Sequence, residues 1–155
     1  MINLRKMCYE DIKNIFEWNE ESEEFLKQWS NFTYPLTEEQ FKERIDSDEY
    51  NVLVIEEDKM PVGTIQIFKF DREKKEARVG CYLIKPEMRN KGIGCEALKA
   101  VVNYAFNNEG LLSLNLGVFD FNKGAQRCYE KAGFVKINEY VGAMDWKAYT
   151  MEIHK

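Results

Sequence analysis

The sequence predicts an α/β (α+β) fold built on a mixed, mostly antiparallel central sheet of about seven strands with flanking helices. The first observation is a series of three strand-like runs, at residues 51–57, 61–70 and 76–84, separated by short polar turns. Such a series predicts an antiparallel meander. The second observation is a single amphipathic helix after the meander, followed by another strand-like run. That order predicts one parallel crossover within the sheet.

Periodicity and capping residues define the N-terminal elements. Residues 2–8 alternate apolar and polar side chains, which predicts a strand, and residues 9–19 have apolar side chains at helical spacing. Residues 20–36 have mixed periodicity and a proline, so we expect an irregular or short helical connection rich in aromatic and acidic side chains. Thr37 and Gln40 form a capping-box pattern, which predicts the start of a second helix.

The fourth strand and the helix after it are predicted by their apolar positions. Val79, Cys81 and Leu83 alternate along the strand, so we expect all three side chains on one face. The helix has an apolar stripe made of Ile93, Ala97, Leu98, Val101, Val102 and Ala105.

The last third of the chain predicts a strand, a short helix and a strand pair. Residues 111–118 are strand-like, and residues 122–132 form a helix that Gly133 ends. Residues 134–141 and 145–153 predict the final pair of strands.

Length and composition exclude several classes of protein. A chain of 155 residues has the usual size of one domain, so we expect a single domain over residues 1–155. Its longest apolar runs fall short of the roughly 20 residues that cross a bilayer, and its N-terminus lacks the apolar centre of a signal peptide. We therefore expect a cytoplasmic protein with no membrane partner.

Cysteine and histidine are sparse and scattered. The four cysteines form no C-x-x-C pair, and the chain has one histidine. This pattern predicts neither a zinc site nor a disulfide framework. We expect no metal and four reduced thiols, most of them buried.

Charge is distributed unevenly along the chain. The net charge of −5 argues against nucleic acid as a partner. Residues 1–60 carry 16 acidic and 7 basic side chains, whereas the remaining residues carry 11 and 15. One interpretation is that these are solvated surfaces; the other is that the first part binds a cation and the second part an anion.

The loop "RNKGIGCEA", from Arg89 to Ala97, joins the fourth strand to its helix and predicts an anion site. Backbone N–H groups, the positive end of a helix and two basic side chains lie together in such a loop. A nucleoside triphosphate loop is excluded because Cys95 and Glu96 follow the last glycine in place of Lys and Ser or Thr. A dinucleotide fingerprint, G-x-G-x-x-A, is matched, but an antiparallel meander before it is the wrong context.

A second motif lies beyond the next strand. Asn122, Ala125 and Tyr129 are followed by the sequence Lys131-Ala-Gly-Phe134. Together with the glycine loop at this distance, the pattern resembles the GCN5-related N-acetyltransferase (GNAT) superfamily. The resemblance implies that the fourth and fifth strands are parallel and splay apart, and that the co-substrate is acetyl-CoA.

The resemblance also assigns a binding role to each motif residue. It implies that the pyrophosphate of coenzyme A lies on the backbone amides of the glycine loop beside Arg89. Those amides belong to Asn90, Lys91, Gly92, Ile93, Gly94 and Cys95. The pantetheine arm is expected to pair with Tyr82, Leu83 and Ile84. Asn122 is expected to contact coenzyme A and to cap its helix.

Two residues receive catalytic roles from the same resemblance. The backbone N–H of Leu83 is expected to stabilise the developing oxyanion. Tyr129, which also contacts coenzyme A, is expected to be the general acid, because a phenol with a pKa near 10 stays protonated at neutral pH and can give a proton to the leaving thiolate.

The general base departs from the family pattern. Where some members carry glutamate, this chain has Arg78 on the fourth strand and Gly117 on the fifth. The candidates acting through water are Glu20, Glu21, Glu76 and Asp120, and the sequence does not rank them. The missing base leaves open an alternative function, a non-catalytic acyl-CoA binding or sensing domain.

The acceptor is expected over the N-terminal elements and the connection between the last two strands. The aromatic and acidic residues of the N-terminal part are Trp18, Glu20, Glu21, Glu23, Glu24, Trp29 and Tyr34. Such residues suit a cationic primary amine, either a small molecule or a protein amine. We expect direct transfer in a ternary complex, and a monomer or homodimer.

Overall fold

A computed structural model describes residues 1–19, 32–33, 35–142 and 145–155 of the chain. Its strands are β1 Ile2–Lys6, β2 Tyr50–Glu57, β3 Met60–Asp71, β4 Glu76–Ile84, β5 Ser113–Phe119, β6 Val135–Val141 and β7 Lys147–His154. Its helices are α1 Ile12–Trp18, α2 Glu38–Asp46, α3 Ile93–Asn107 and α4 Lys123–Ala132, with short 3-10 turns at Tyr9–Asp11 and Pro86–Met88. The strands form one sheet in the order β1-β2-β3-β4-β5-β7-β6. The predicted fold class is confirmed.

The sheet has a hydrophobic core on each face. On one face, α3 and α4 pack over the central strands, and the six predicted apolar positions of α3 are all buried there. On the other face, α1 and α2 pack around Phe41, which is completely buried. Trp18 belongs to this second core and is 6% exposed, so the structure places it in packing rather than on an acceptor surface.

The local signals in the sequence correspond to local structure. Thr37 accepts a hydrogen bond from the Gln40 backbone N–H at the start of α2, while the Gln40 side chain accepts from the Thr33 N–H rather than from Thr37. Asp58 and Lys59 both have positive φ, at 50° and 70°, as the tight turn of the predicted hairpin requires.

A β-bulge in β4 changes which side chains share a face. Thr64 lies opposite Leu83 and Gln66 lies opposite Gly80, so two residues of β4 face one residue of β3. Cys81, in the bulge, has φ 53°. The prediction that Val79, Cys81 and Leu83 share one face is therefore wrong. Val79 packs in the core beneath α3, and the other two pack beneath α1 and α2.

β4 and β5 are parallel and part after a short paired segment. Three residue pairs join them along their described lengths, Glu76 with Ser113, Ala77 with Leu114 and Arg78 with Asn115. The rest of β4 is held by β3 alone. The two strands therefore open a cleft in the middle of the sheet, as expected for splayed strands.

The cysteines differ from the sequence prediction. Cys95, in the first turn of α3, forms a disulfide with Cys128 on α4, across a Cα–Cα distance of 5.2 Å. Cys81 is buried and Cys8 is exposed, and neither belongs to this disulfide. The prediction of four reduced thiols is wrong for the pair, because 33 residues separate two cysteines that only the packing of the helices brings together.

Membrane-spanning helices and metal-binding clusters are both absent from the described ranges. There, helices are too short or too polar to cross a membrane. No group of three or more His, Cys, Asp or Glu side chains is close enough in those ranges to hold a metal ion.

A partly buried network of ion pairs around Arg5 ties β1, at the edge of the sheet, to β2 and to the turn before α1. The Arg5 guanidinium donates to both carboxylate oxygens of Asp11 at 2.8 Å, and its Nε donates to Glu56 at 2.8 Å. The Cys8 backbone N–H also donates to Asp11, at 2.8 Å. The Arg5 hydrogen bonds hold the pKa of Asp11 below its usual range, helped by the Cys8 N–H and opposed by partial burial.

Replacing Asp11 by Asn should lower stability in a pH-dependent way. The Asp11 pKa is lower in the folded protein than in the unfolded chain, where it is near 3.9, so its contribution is present above that value and is lost as pH falls through the folded pKa. We expect Asp11→Asn to lower the free energy of unfolding by about 1–2 kcal/mol at pH 7, and this difference to shrink below about pH 4. Urea unfolding at several pH values measures it.

The matched control is Asp58→Asn. Asp58 pairs with the terminal amino group, and both groups are exposed, so its loss should cost less than about 0.5 kcal/mol. A difference between wild type and Asp11→Asn that stays constant from pH 7 to pH 3 would contradict a charge-based role for Asp11.

Candidate active site

The cleft between β4 and β5 has a volume of about 300 Å³. Its walls come from both strands and from α4, and they include Tyr82, Phe119, Asn122 and Tyr129. The carboxyl ends of the two parallel strands are followed by the N-termini of α3 and α4, after connections at residues 85–92 and 120–122. The structure thus brings the glycine loop and the second motif to the same end of the sheet, as the sequence predicts.

The backbone of β4 alternates between β3 and the cleft. Lys85 N–H donates to the Val62 carbonyl of β3 at 2.8 Å, and the Leu83 carbonyl lies 2.6 Å from where a Cβ on Gly63 would be. Since the N–H and C=O of one strand residue point to the same side, the Leu83 backbone faces β3. The cleft-facing backbone is that of the residues flanking Leu83, so the Leu83 N–H does not face the cleft, as its predicted role as oxyanion donor requires.

Those flanking residues are Tyr82 and Ile84. The Ile84 carbonyl accepts a hydrogen bond from Arg89 Nε at 3.0 Å, which confirms that this residue faces away from β3. The same bond ties the side chain of Arg89 to the end of β4. Arg89 therefore positions the loop that begins with it.

The loop after Arg89 turns sharply into α3. Asn90 has φ 62°, and Gly92, the N-cap residue, has φ 79° and ψ −2°, the left-handed conformation that glycine tolerates best. Asn90 and Lys91 are exposed, and Ile93 is buried beneath the helix. Their backbone amides lie at the positive end of α3, which suits an anionic group.

Gly94 is required for a different reason, because it lies against a tyrosine. A Cβ on Gly94 would lie 2.8 Å from the Tyr82 hydroxyl oxygen. That oxygen is buried, and within the described part of the chain it has no hydrogen-bond partner. Burial raises the pKa of Tyr82, with a smaller contribution from Tyr129, so the hydroxyl stays protonated. A buried donor without a partner fits a ligand oxygen beside the glycine loop.

The turn from β5 into α4 is fixed by two side chains. Asn122 accepts a hydrogen bond from the Ala125 N–H at 3.2 Å and so caps the helix. Gln126, which is buried, donates to the carbonyls of Phe119 and Asp120 at 3.1 and 2.9 Å. No local pattern points to Gln126, because its partners belong to the end of the strand rather than to the helix.

Tyr129 lies on the cleft side of α4. It is half-buried, its ring packs 6.3 Å from that of Phe134, and its carbonyl accepts from the Phe134 N–H where Gly133 ends the helix. Burial raises the pKa of Tyr129 to about 12. The phenol is therefore fully protonated at neutral pH and available as a proton donor.

The predicted base candidates differ in their surroundings. Asp120 accepts from the Tyr149 hydroxyl at 2.7 Å and from Lys123 at 3.1 Å, and these bonds lower its pKa, so it is a weak proton acceptor. Glu76 lies at the paired, closed end of β4. The remaining acidic and aromatic acceptor candidates, Glu20, Glu21, Glu23, Glu24, Trp29 and Tyr34, lie outside the described residues.

Sequence reasoning missed a buried arginine on the α2 side of the sheet. Arg44 is 5% exposed, donates to Gln66 at 2.7 Å and lies 3.7 Å from the Cys81 sulfur. Its guanidinium also stacks over the ring of Tyr50. Arg44 belongs to a helix rich in charged residues, so nothing in the local sequence separates it from solvated neighbours.

Comparisons with known proteins agree with this geometry. The family model of the acetyltransferase (GNAT) domain matches residues 2–135. Probable N-acetyltransferase YjcK of Bacillus subtilis (strain 168) is 32% identical over 100 residues, which cover 63% of this chain and 55% of that protein. An SPbeta prophage-derived uncharacterized N-acetyltransferase of the same organism, YokL, is 31% identical over 140 residues, covering 87% of this chain and 76% of that protein.

Solved structures show the same fold at lower identity. A spermidine N-acetyltransferase from Vibrio cholerae, in complex with CoA and spermine, aligns with a TM-score of 0.85 and 21% identity over 99% of this chain and 95% of that one. The chain spans 55% of the length of YjcK. Because the family model covers nearly the whole chain, the protein belongs to the GNAT acetyltransferase family.

Proposed function

We propose that this protein is an acetyl-CoA-dependent N-acetyltransferase that moves the acetyl group to a primary amine by direct attack in a ternary complex. The observation that carries the proposal is the cleft between β4 and β5. It joins an unpaired backbone edge to the protonated Tyr129, and Tyr82 in its wall reaches the glycine loop at Gly94. The GNAT family assignment supports acetyl-CoA as the co-substrate.

The residues around the cleft fit coenzyme A from end to end. The amides of Asn90 to Cys95, with Arg89 beside them, hold the pyrophosphate at the positive end of α3. The open edge of β4 at Tyr82 and Ile84 binds the amide groups of the pantetheine arm as a strand would. Asn122 contacts coenzyme A from the first turn of α4. The Tyr82 hydroxyl, which has no hydrogen-bond partner among the described residues, donates to an oxygen of the same ligand.

The reaction forms a C–N bond and breaks a C–S bond. As the acetyl oxygen gains negative charge, the cleft-facing backbone N–H of Tyr82 stabilises it, the role first predicted for Leu83. Tyr129 gives its proton to the departing sulfur, the nitrogen of the intermediate loses its second proton to solvent as the amide forms, and solvent returns a proton to Tyr129. The proton that the ammonium group loses before attack passes to water, because no carboxylate lines the cleft among the described residues.

The acceptor is a primary amine that is protonated in solution. The acid-rich first 60 residues support a cationic acceptor of this kind. The similar Vibrio cholerae protein has spermine bound in its solved structure, which makes polyamines one class to test.

The absence of a carboxylate from the described cleft walls favours a second candidate. An acyl-CoA binding or sensing domain needs the glycine loop and the open edge of β4 but no base. Both candidates require coenzyme A to bind, and they differ in turnover alone.

An acceptor screen separates the two functions. Acetyl-CoA at 100 times its Kd should stabilise the protein by about 2.7 kcal/mol against thermal unfolding. We then expect release of free thiol with at least one class in a panel of polyamines, amino acids, aminoglycosides and peptide amines. Tight binding with no turnover across the panel would favour the sensor, and no thermal shift would exclude both.

Adding a methyl group at Gly94 should weaken coenzyme A binding. The new Cβ would lie 2.8 Å from the Tyr82 hydroxyl and displace it from the loop. We expect Gly94→Ala to raise the Kd for coenzyme A roughly tenfold, about 1.4 kcal/mol, in a protein that still folds. Calorimetric titration measures it. Gly124→Ala, where the nearest atom is 4.0 Å away, is the control with unchanged affinity.

Removing the Tyr129 hydroxyl should slow the chemical step alone. We expect Tyr129→Phe to lower kcat about 100-fold with nearly unchanged affinity for coenzyme A. Because the Tyr129 pKa is about 12, the ratio of wild-type to variant kcat should stay constant from pH 6 to pH 10. Tyr104→Phe, whose hydroxyl binds Asn51 away from the cleft, is the control. An unaltered kcat would return Tyr129 to a packing role.

A further inference from the structure

Arg78 is a fixed cation at the point where β4 and β5 part. It lies in the last residue pair of the two strands, opposite Asn115. Its Nη1 donates to the Asn115 side-chain oxygen at 3.2 Å, while the Asn115 amide donates to the Ala77 carbonyl at 3.4 Å. The second bond fixes which way the Asn115 amide points. The guanidinium is therefore held by a positioned acceptor rather than free in solvent.

The rest of the guanidinium extends over bare backbone. A Cβ on Gly117 would lie 2.6 Å from Arg78 Nη2 and also 2.6 Å from the Tyr140 hydroxyl oxygen. These two donors therefore lie within about 5 Å of each other, and both reach over the backbone of Gly117. Glycine at 117 allows this approach, because a Cβ there would be too close to both donor atoms.

This pair of donors has no acidic partner in the part of the chain that the structure describes. Within the ranges that the structure describes, Arg78 makes its one side-chain hydrogen bond to Asn115 and no ion pair, and Tyr140 makes no side-chain hydrogen bond. Arg78 is half-buried. A partly buried cation whose remaining donors converge with a hydroxyl fits an anionic oxygen group.

The guanidinium lies beside the reaction centre. Arg78 and Gly117 line the same cleft as Tyr82 and Tyr129. Gly117 is two residues beyond Asn115 along β5, so the guanidinium extends from its own position toward the open end of the cleft. Among the described residues that line the cleft, Arg78 is the one with a permanent charge.

That charge constrains the acceptor. An ammonium group brought up to a bare guanidinium is repelled, and the repulsion is strong in a partly enclosed site. The repulsion disappears when the acceptor itself carries a negative group that occupies the guanidinium. One guanidinium and one hydroxyl match a group of single negative charge with two oxygens, which is a carboxylate.

We propose that Arg78 and Tyr140 form the carboxylate subsite of the acceptor, so that the acceptor is an amino acid or a similar small amine with its carboxylate a few bonds from the reacting nitrogen. Arg78 binds the carboxylate through Nη2, Tyr140 donates to it from the other side, and Asn115 holds the guanidinium in place. The proposal rests on the proposed function, because it concerns the acceptor of the same cleft.

The test compares free amino acids with their primary amides, which keep the amine and shape but lack the charge. Glycine, alanine, methionine, phenylalanine, lysine and β-alanine serve as the acids, with spermidine as an acceptor that has no carboxylate. We expect wild type to acetylate at least one acid with a kcat/KM ten- to a hundredfold above that of its amide. Arg78→Gln should remove this preference by raising the KM for the acid. The rate with the amide should be unchanged or higher.

Controls show that the variants are folded and specific. Arg72→Gln removes an exposed arginine outside the cleft and should keep the preference. Tyr140→Phe is a milder second variant in case Arg78→Gln folds poorly. We expect it to lose part of the preference for the acid over its amide. Coenzyme A affinity and the Tm of each variant should match wild type.

The outcomes separate the two proposals. The carboxylate subsite is overturned if wild type acetylates acids and amides with equal kcat/KM, or if Arg78→Gln loses kcat/KM equally with both. Either outcome leaves the proposed N-acetyltransferase activity standing. An equal loss of kcat/KM with acids and amides would indicate that Arg78 stabilises the developing oxyanion instead. No turnover with any acceptor, spermidine included, overturns the proposed function itself.

Discussion

The site depends on one constraint: β4 and β5 are neighbours in the sheet but pair through three residues each before they part. Backbone N–H and C=O groups that lack partners cost free energy when they are removed from water. The opening persists because β3 holds the other edge of β4 and the buried side chains of α3 fix both strands. A ligand with its own amide groups can complete the inner edge as an added strand.

The bulge at Cys81 makes this opening specific. It turns Cys81 and Leu83 into the core beneath α1 and α2, and it turns Tyr82 toward the glycine loop on the other face. Both helices that follow the parallel strands begin at the open end, where the carboxyl ends of strands form a crevice. The closeness of Tyr82 to Gly94 is thus a consequence of strand register, and the glycine is needed because of the tyrosine.

Much of the fold could be predicted because its signals are local. The Thr37 cap, the Asp58–Lys59 turn and the helix end at Gly133 each depend on residues within a few positions of one another. The bulge, the side of β4 that Leu83 faces, the Cys95–Cys128 disulfide and the position of Arg78 over Gly117 depend on how distant segments align. A single sequence contains the residues for these contacts but not the register that brings them together.

Local pairing also changes the meaning of the charge pattern. Asp11 and Glu56 are both bound by Arg5, and Asp120 is bound by Lys123, so several formal charges are neutralised within the fold. Arg78 is instead directed at the cleft without an acidic partner among the described residues. An acceptor with only positive charges would suit the acid-rich first part of the chain and be repelled at Arg78. An acceptor with an ammonium and a carboxylate has a favourable partner for each charge, which is why a dipolar amine accounts for both features.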